Sequence, residues 1–220
     1  SGILATLLHC RPEFSLADVL MKIDQLDSSS LTQSLTRIRG IDLLVRPPMH
    51  EHPDPGWSNY HQLLRFLKPR YDAILVDLPE VVNDGRMEFL RHARCVFLVS
   101  SPELPALTLT QERCRALDAQ GVDADRVGVL VNRWHEYDLS PSDLEEVLAR
   151  RIAGIFRDEY ESVRSAMLRG ALVSHETDLG KEFLEFAQQL GPDPSAKSTV
   201  APRIKPRSHF GQKRTDKGSG

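Results

Sequence analysis

The sequence has no pair of cysteines at metal or redox spacing. Cys10, Cys95 and Cys114 are far apart and no Cys-x-x-Cys occurs, which excludes a cysteine-built metal site and a disulfide framework. The odd count, with Cys95 opening an apolar run, points to reduced thiols and a cytoplasmic setting. No apolar run approaches the ~18–20 residues of a membrane helix, and no signal-peptide pattern is present. Net charge is only −3, so there is no global attraction to nucleic acid or anionic lipid. Nothing marks a nucleophile elbow, an orienting acid, or a Ser/His/Asp or Cys/His arrangement. A glycine-rich phosphate loop is also missing, and this absence limits the functional reading most.

A chain of 220 residues, 40% hydrophobic and 27% charged, belongs to the globular class. It suits one domain that buries roughly 70% of its unfolded surface. Charge is unevenly spread: from Ser195 onward there are seven Lys or Arg and one acid. Beyond Pro192, Pro194, Pro202 and Pro206 interrupt the chain, and Val200, Ile204 and Phe210 are its only sizeable apolar residues. Such a segment cannot bury enough surface to offset its ordering entropy. The expected organisation is one domain over 1–192 and a disordered basic tail over 193–220. The tail reads as a solvated linker in preference to a DNA-binding arm.

The most informative stretch runs from Tyr71 to Pro79. Ala73-Ile74-Leu75-Val76 is continuously apolar and ends in Asp77-Leu78-Pro79. An unbroken apolar run suits a strand buried on both faces of a parallel sheet, and open parallel sheets bind ligands at the C-terminal ends of their strands. Asp77 is therefore the leading candidate residue. Upstream, Ser15 is placed to cap one helical pattern, and Asp27-Ser28-Ser29-Ser30 precedes a second, capped helix through Leu31, Leu35 and Ile38. Ile41 to Val45 reads as a strand, 49–56 as a Pro-rich loop, and Trp57 to Leu67 as an amphipathic helix. Downstream the pattern alternates. Helices are expected near 84–93, 105–119, 141–150, 160–169 and 179–190. Strands are expected over 95–99, 127–131 and 152–156. Alternation at this spacing indicates βαβ units and a parallel sheet, with five strands in all.

Several of these segments resemble one family. Val76-Asp77-Leu78-Pro79, the run Cys95 to Leu104, and Val129-Leu130-Val131-Asn132-Arg133 are similar to stretches of the MinD/ParA-type P-loop ATPases. Phe14 to Leu20 and Tyr160 to Gly170 look like the CpaE or TadZ pilus-assembly branch. The likeness spans about residues 3 to 190. It implies an α/β three-layer sandwich of P-loop NTPase type, lacking its N-terminal part. It implies Asp77 as the carboxylate that holds magnesium, directly or through water. Asn132 would contact adenine, Arg133 would flank the base, and Asp158 and Glu159 would lie beside the base or sugar. The proline usual in that loop is replaced by Arg157. ATP and magnesium are the implied cofactors of the intact protein. A homodimer and pilus or secretion assembly proteins are the implied partners, at a cell pole or inner-membrane surface.

The departure from the family is the phosphate loop. No G-x-x-x-x-G-K-[ST] occurs; the one Gly-Lys pair, Gly180-Lys181, has His175 five positions before it and Phe183 two after. A phosphate loop works by aiming backbone N–H groups and a helix N-terminus at the anion. The expectation is a piece of a longer gene product that neither binds nor hydrolyses Mg·ATP alone. Two alternatives stand beside it: a nucleotide-independent localisation scaffold, and a ParA-like DNA-partitioning protein. For Asp158 and Glu159 the competing reading is an acidic pair at a helix start, favoured by the macrodipole. His50-Glu51-His52-Pro53-Asp54 offers nitrogen and oxygen ligands, but with no fourth partner in view it reads as a loop. His135 reads as a packing or surface residue.

Overall fold

The computed structural model describes residues 3–10, 12–45, 56–79 and 84–191. The expected tail, the loop at 49–55 and the His50–Asp54 cluster lie outside these residues. The chain opens with α1 (Ile3–Leu7), α2 (Leu16–Met21), a 3-10 turn at Ile23–Gln25 and α3 (Ser28–Ser34). Ser15 caps α2 reciprocally: the Asp18 N–H donates to Ser15 Oγ at 3.2 Å, and the Ser15 N–H donates to Asp18 Oδ2 at 2.8 Å. Asp27 does the same for α3 with Ser30. The Ser30 N–H, followed by the Ser30 hydroxyl, lowers the Asp27 carboxyl to about 2.

Beyond Ser34 the expected helix gives way to a hairpin. β1 (Thr36–Ile38) pairs antiparallel with β2 (Ile41–Leu43), Thr36 opposite Leu43 and Ile38 opposite Ile41. Arg39 and Gly40 form the turn with φ of 51° and 84°. Two residues at positive φ form the tight connection whose twist matches that of the strands. The residues counted as the last helical turn are therefore strand, and Ile41–Leu43 lies outside the parallel sheet.

The rest alternates as the spacing indicates. α4 (Trp57–Leu67) and α5 (Asp84–His92) lead to β3 (Val96–Ser100) and α6 (Leu104–Ala119). Then come β4 (Val127–Trp134), α7 (Pro141–Leu148), β5 (Ile152–Arg157), α8 (Tyr160–Leu168) and α9 (Asp178–Leu190). The parallel sheet has the order β3-β4-β5, with Val96 beside Val127 and Val129 beside Ile152. Successive side chains of a strand face opposite ways, and β4 uses both faces. Val129 and Val131, each 0% exposed, pack with Leu107 and Cys114 of α6 and Leu144 and Leu148 of α7. Leu130 packs with Ala153, Phe156, and Leu179 and Phe186 of α9 on the other face. Helices thus cover both faces, giving three layers.

The Gly180-Lys181 pair has a packing reason. A Cβ on Gly180 would sit 1.9 Å from the Ser174 carbonyl oxygen, so only glycine lets the first turn of α9 lie against that loop.

The expected strand at Tyr71–Pro79 does not form. Residues 73–79 run without strand or helix, and the apolar run is open to solvent: Leu75 is 89% exposed, and Ile74 and Val76 are exposed as well. The ends of the segment are held. The Tyr71 hydroxyl donates to Asp42 Oδ2 at 3.0 Å, and Leu78 packs against both the α2–α4–α5 cluster and the cluster around Val96 and Val127. A strand needs a ladder partner as well as a suitable sequence, because strand preference is set largely by neighbours. Among the described residues no strand ladder runs along this stretch, and β3 has a strand partner on one edge alone. Val99 of β3 is also 69% exposed.

Burying a side chain such as Leu75 is worth about 1.5–3 kcal/mol, and an open apolar edge favours pairing between chains. The purified chain is therefore expected to self-associate in light scattering, and Leu75→Lys to shift it toward monomer. A monodisperse, cooperatively melting wild-type monomer would contradict this.

Candidate functional site

The C-terminal ends of β3, β4 and β5 lie side by side, because the three strands are parallel and in register. The last turn of β4 is irregular. Its pairing with β5 shifts between Val131 and Trp134, and Arg133 has φ of 58°. This is a β-bulge: Asn132 and Arg133 leave the ladder and are exposed, while Trp134 on the far side is buried and pairs with Arg157. Bulges at strand ends re-aim side chains, and a non-glycine residue at positive φ is uncommon. The strand thus directs an amide and a guanidinium outward at the sheet edge where parallel folds take ligands.

Titratable groups that follow all three strands gather near His135. Glu103 follows β3 and stands at the N-cap position of α6, without a side-chain cap bond. The Ser101 hydroxyl, then its own backbone N–H, hold its carboxyl below the usual range, with smaller help from Arg133 and His135. The His135 N–H donates to Asp138 Oδ2 at 2.7 Å, and its ring stacks on Tyr137 at 4.9 Å. His135 Nε2 is 3.5 Å from Asp158 Oδ2, and the Asp158 N–H donates to the Trp134 carbonyl at 3.2 Å. Asp158 therefore belongs to the same edge as Asn132 and Arg133.

Glu159, one residue on, turns away. Its Oε2 accepts from the Leu179 N–H at 2.8 Å and its Oε1 from the Ser162 hydroxyl, so it braces the start of α9 against the start of α8. Arg157 does similar work, with Nε 2.8 Å from Glu182 Oε1 and a guanidinium nitrogen 3.1 Å from Asp178 Oδ2. Asp77 lies on the exposed 73–79 segment between α4 and α5, in contrast to the strand end expected for it.

Two features went unread in the sequence. Glu103 and His135 join the strand-end group, and their signal was their position just past a strand end. A second cluster, on α4 and α5, involves Glu88 and His92, whose spacing of four on a helix was legible.

No protein-family model matches the sequence. The chain is 24% identical over 136 residues to the septum site-determining protein MinD of Thermotoga maritima, covering 58% of this chain and 50% of that protein. It spans half to about two thirds of the length of the curated relatives it matches. Among solved structures, a ParA family ATPase from Chlorobium tepidum superposes with a TM-score of 0.73 at 20% identity, covering 82% of this chain and 77% of that one. The chain has an α/β fold of the P-loop NTPase-like type seen in ParA and MinD proteins. A MinD from Pyrococcus horikoshii, complexed with Mg-ADP, superposes with a TM-score of 0.67 at 20% identity over 90% of this chain and 82% of that one. Within the described residues no helix is long and apolar enough to cross a membrane.

Glu159 holds the Leu179 N–H, whereas Asn132 lies exposed on the bulge. Glu159→Ala is expected to destabilise the fold by about 1–3 kcal/mol, because it orphans the Leu179 N–H. Asn132→Ala, on the exposed bulge, should stay within about 0.5 kcal/mol. Urea unfolding of the two variants measures the difference, and equal effects would contradict the assignment.

Proposed function

We propose that the C-terminal edge of the β3-β4-β5 sheet is the base-facing side of an adenine-nucleotide site. The protein would be of ParA/MinD type, binding Mg·ATP, dimerising around it and positioning a pilus-assembly or secretion machine. The bulge at Asn132–Arg133 carries this reading, since it exposes both side chains at the ligand edge of a parallel sheet. The Asn132 amide offers a donor and an acceptor to the base edge, and the Arg133 guanidinium offers a flat cationic face. Asp158 lies beside them and is suited to a sugar hydroxyl. Glu159 acts through its brace on α9.

Asp77 supplies the exposed hard-oxygen ligand that magnesium prefers, directly or through water. Magnesium would neutralise charge on the phosphates, and hydrolysis would be phosphoryl transfer to water, driven by positioning and charge stabilisation. The 220 residues hold no glycine-rich lysine loop to cradle those phosphates. The fold shared with a MinD complexed with Mg-ADP supports the nucleotide class. A second reading, a localisation scaffold that works without nucleotide, draws on the exposed apolar segment around Leu75.

The test is Mg·ATP binding and turnover. The chain alone should show no hydrolysis and no millimolar-or-better affinity. In a longer gene product carrying a glycine-rich lysine loop, Asp77→Ala should lower turnover by roughly a hundredfold. There, Asn132→Ala should raise KM for ATP by about tenfold at nearly constant kcat. Turnover by the chain alone, or a longer product indifferent to Asp77, would overturn the proposal.

A further inference from the structure

α4 and α5 carry a side-chain cluster that the nucleotide reading does not use. His61 on α4 and His92 on α5 each place a ring nitrogen on the same oxygen of Glu88. His61 Nδ1 is 2.6 Å and His92 Nε2 2.8 Å from Oε1, and the three donor atoms lie within 4.8 Å of one another. The two rings are 5.4 Å apart. Glu88 and His92 are four residues apart on α5, hence on one face of it, and His61 faces them from the neighbouring helix. The Glu88 side chain is 7% exposed, while those of His61 and His92 are 36% and 37% exposed. The site is thus anchored in the core and opens to solvent on its imidazole side. Arg91 lies 3.7 Å from the other Glu88 oxygen. The hydrogen bond from His61, opposed by burial and aided by His92, holds the Glu88 carboxyl below its ordinary range.

We propose that His61, Glu88 and His92 bind a divalent transition-metal ion of the zinc class. Two imidazole nitrogens and one carboxylate oxygen form a donor set that zinc takes readily, with bonds of about 2.0–2.2 Å and a fourth position left for water. Tetrahedral bonds of that length place ligand atoms about 3.3 Å apart. The present contacts of 2.6 and 2.8 Å need to open by roughly 0.5–0.7 Å to reach that separation, which small rotations of partly exposed rings supply. Neutral histidine loses no proton on binding, because the hydrogen that faced Glu88 is carried on the outward ring nitrogen instead. Magnesium and calcium, which prefer all-oxygen sites, fit poorly here, so this centre differs in chemistry from the one proposed at Asp77. Its position gives it a structural consequence. The ion would clip α4 to α5 and so close the intervening chain that carries Asp77, lowering the conformational freedom of that segment.

The experiment is a calorimetric titration of the metal-stripped, purified 220-residue chain with zinc ion alone. Cobalt(II) absorption reports the coordination number. One saturable site per chain, micromolar or tighter, is expected, with the visible bands of four- or five-coordinate cobalt. His61→Gln and His92→Gln should each weaken zinc binding at least tenfold. Their partial exposure keeps the fold intact, which circular dichroism verifies. Glu88→Gln should weaken it comparably. A His50→Ala/His52→Ala double variant and His135→Ala should leave affinity within twofold. Absence of saturable binding, affinity unchanged in both His61 and His92 variants, or loss of binding in the His50/His52 variant would overturn the proposal. So would a cobalt spectrum of the hexa-aquo type.

Discussion

Among the described residues β4 is the one strand paired on both edges, and the architecture follows from that. With β3 on one side, β5 on the other and helices on both faces, Val129 and Val131 are wholly excluded from water. Parallel pairing requires a helical crossover after each strand, so α6 and α7 sit where the connections put them, and α9 closes the opposite face. The same pairing aligns the three strand ends. The site is therefore built from residues remote in sequence, Glu103, Arg133, His135 and Asp158, without any one loop shaping it.

The sheet also shows what an incomplete ladder does to a good strand sequence. Ile74, Leu75 and Val76 have the side chains that a central parallel strand needs, yet they lie unpaired and exposed. Their anchors are at the ends, Tyr71 on Asp42 and Leu78 between two apolar clusters. Asp77 takes its exposure from this segment. Under the proposed nucleotide reading, Asp77 would hold magnesium jointly with phosphate.

Much of the fold was legible because its signals are local. Ser15 caps α2 where its side chain reaches the third residue on, and the Asp27–Ser30 stretch opens α3. β3, β4 and β5 read as strands from their apolar runs. The Arg39-Gly40 turn was not legible, since neither residue demands a hairpin; the pairing of Thr36 with Leu43 decides it. Nor was the fate of Tyr71–Pro79, which depends on a neighbour and not on its own residues. At the site, Asn132 and Arg133 were legible through resemblance, whereas the bulge that exposes them was not. Glu159 and Asp158 look equivalent in sequence, and a hydrogen bond to the Leu179 N–H separates them. His61 stands 27 residues from Glu88, so only folding brings it to the Glu88–His92 pair.

Residues 73–78 form no strand ladder, and among the described residues the parallel sheet ends at β3. Amide hydrogen exchange on the isolated chain, resolved by residue, measures this directly. The account predicts that amides of residues 73–78 exchange at nearly the rate of unstructured peptide, while those of Val129, Leu130 and Val131 are protected by several orders of magnitude more. Protection over 73–78 comparable to that of β4, under conditions where the chain is monomeric, would contradict it.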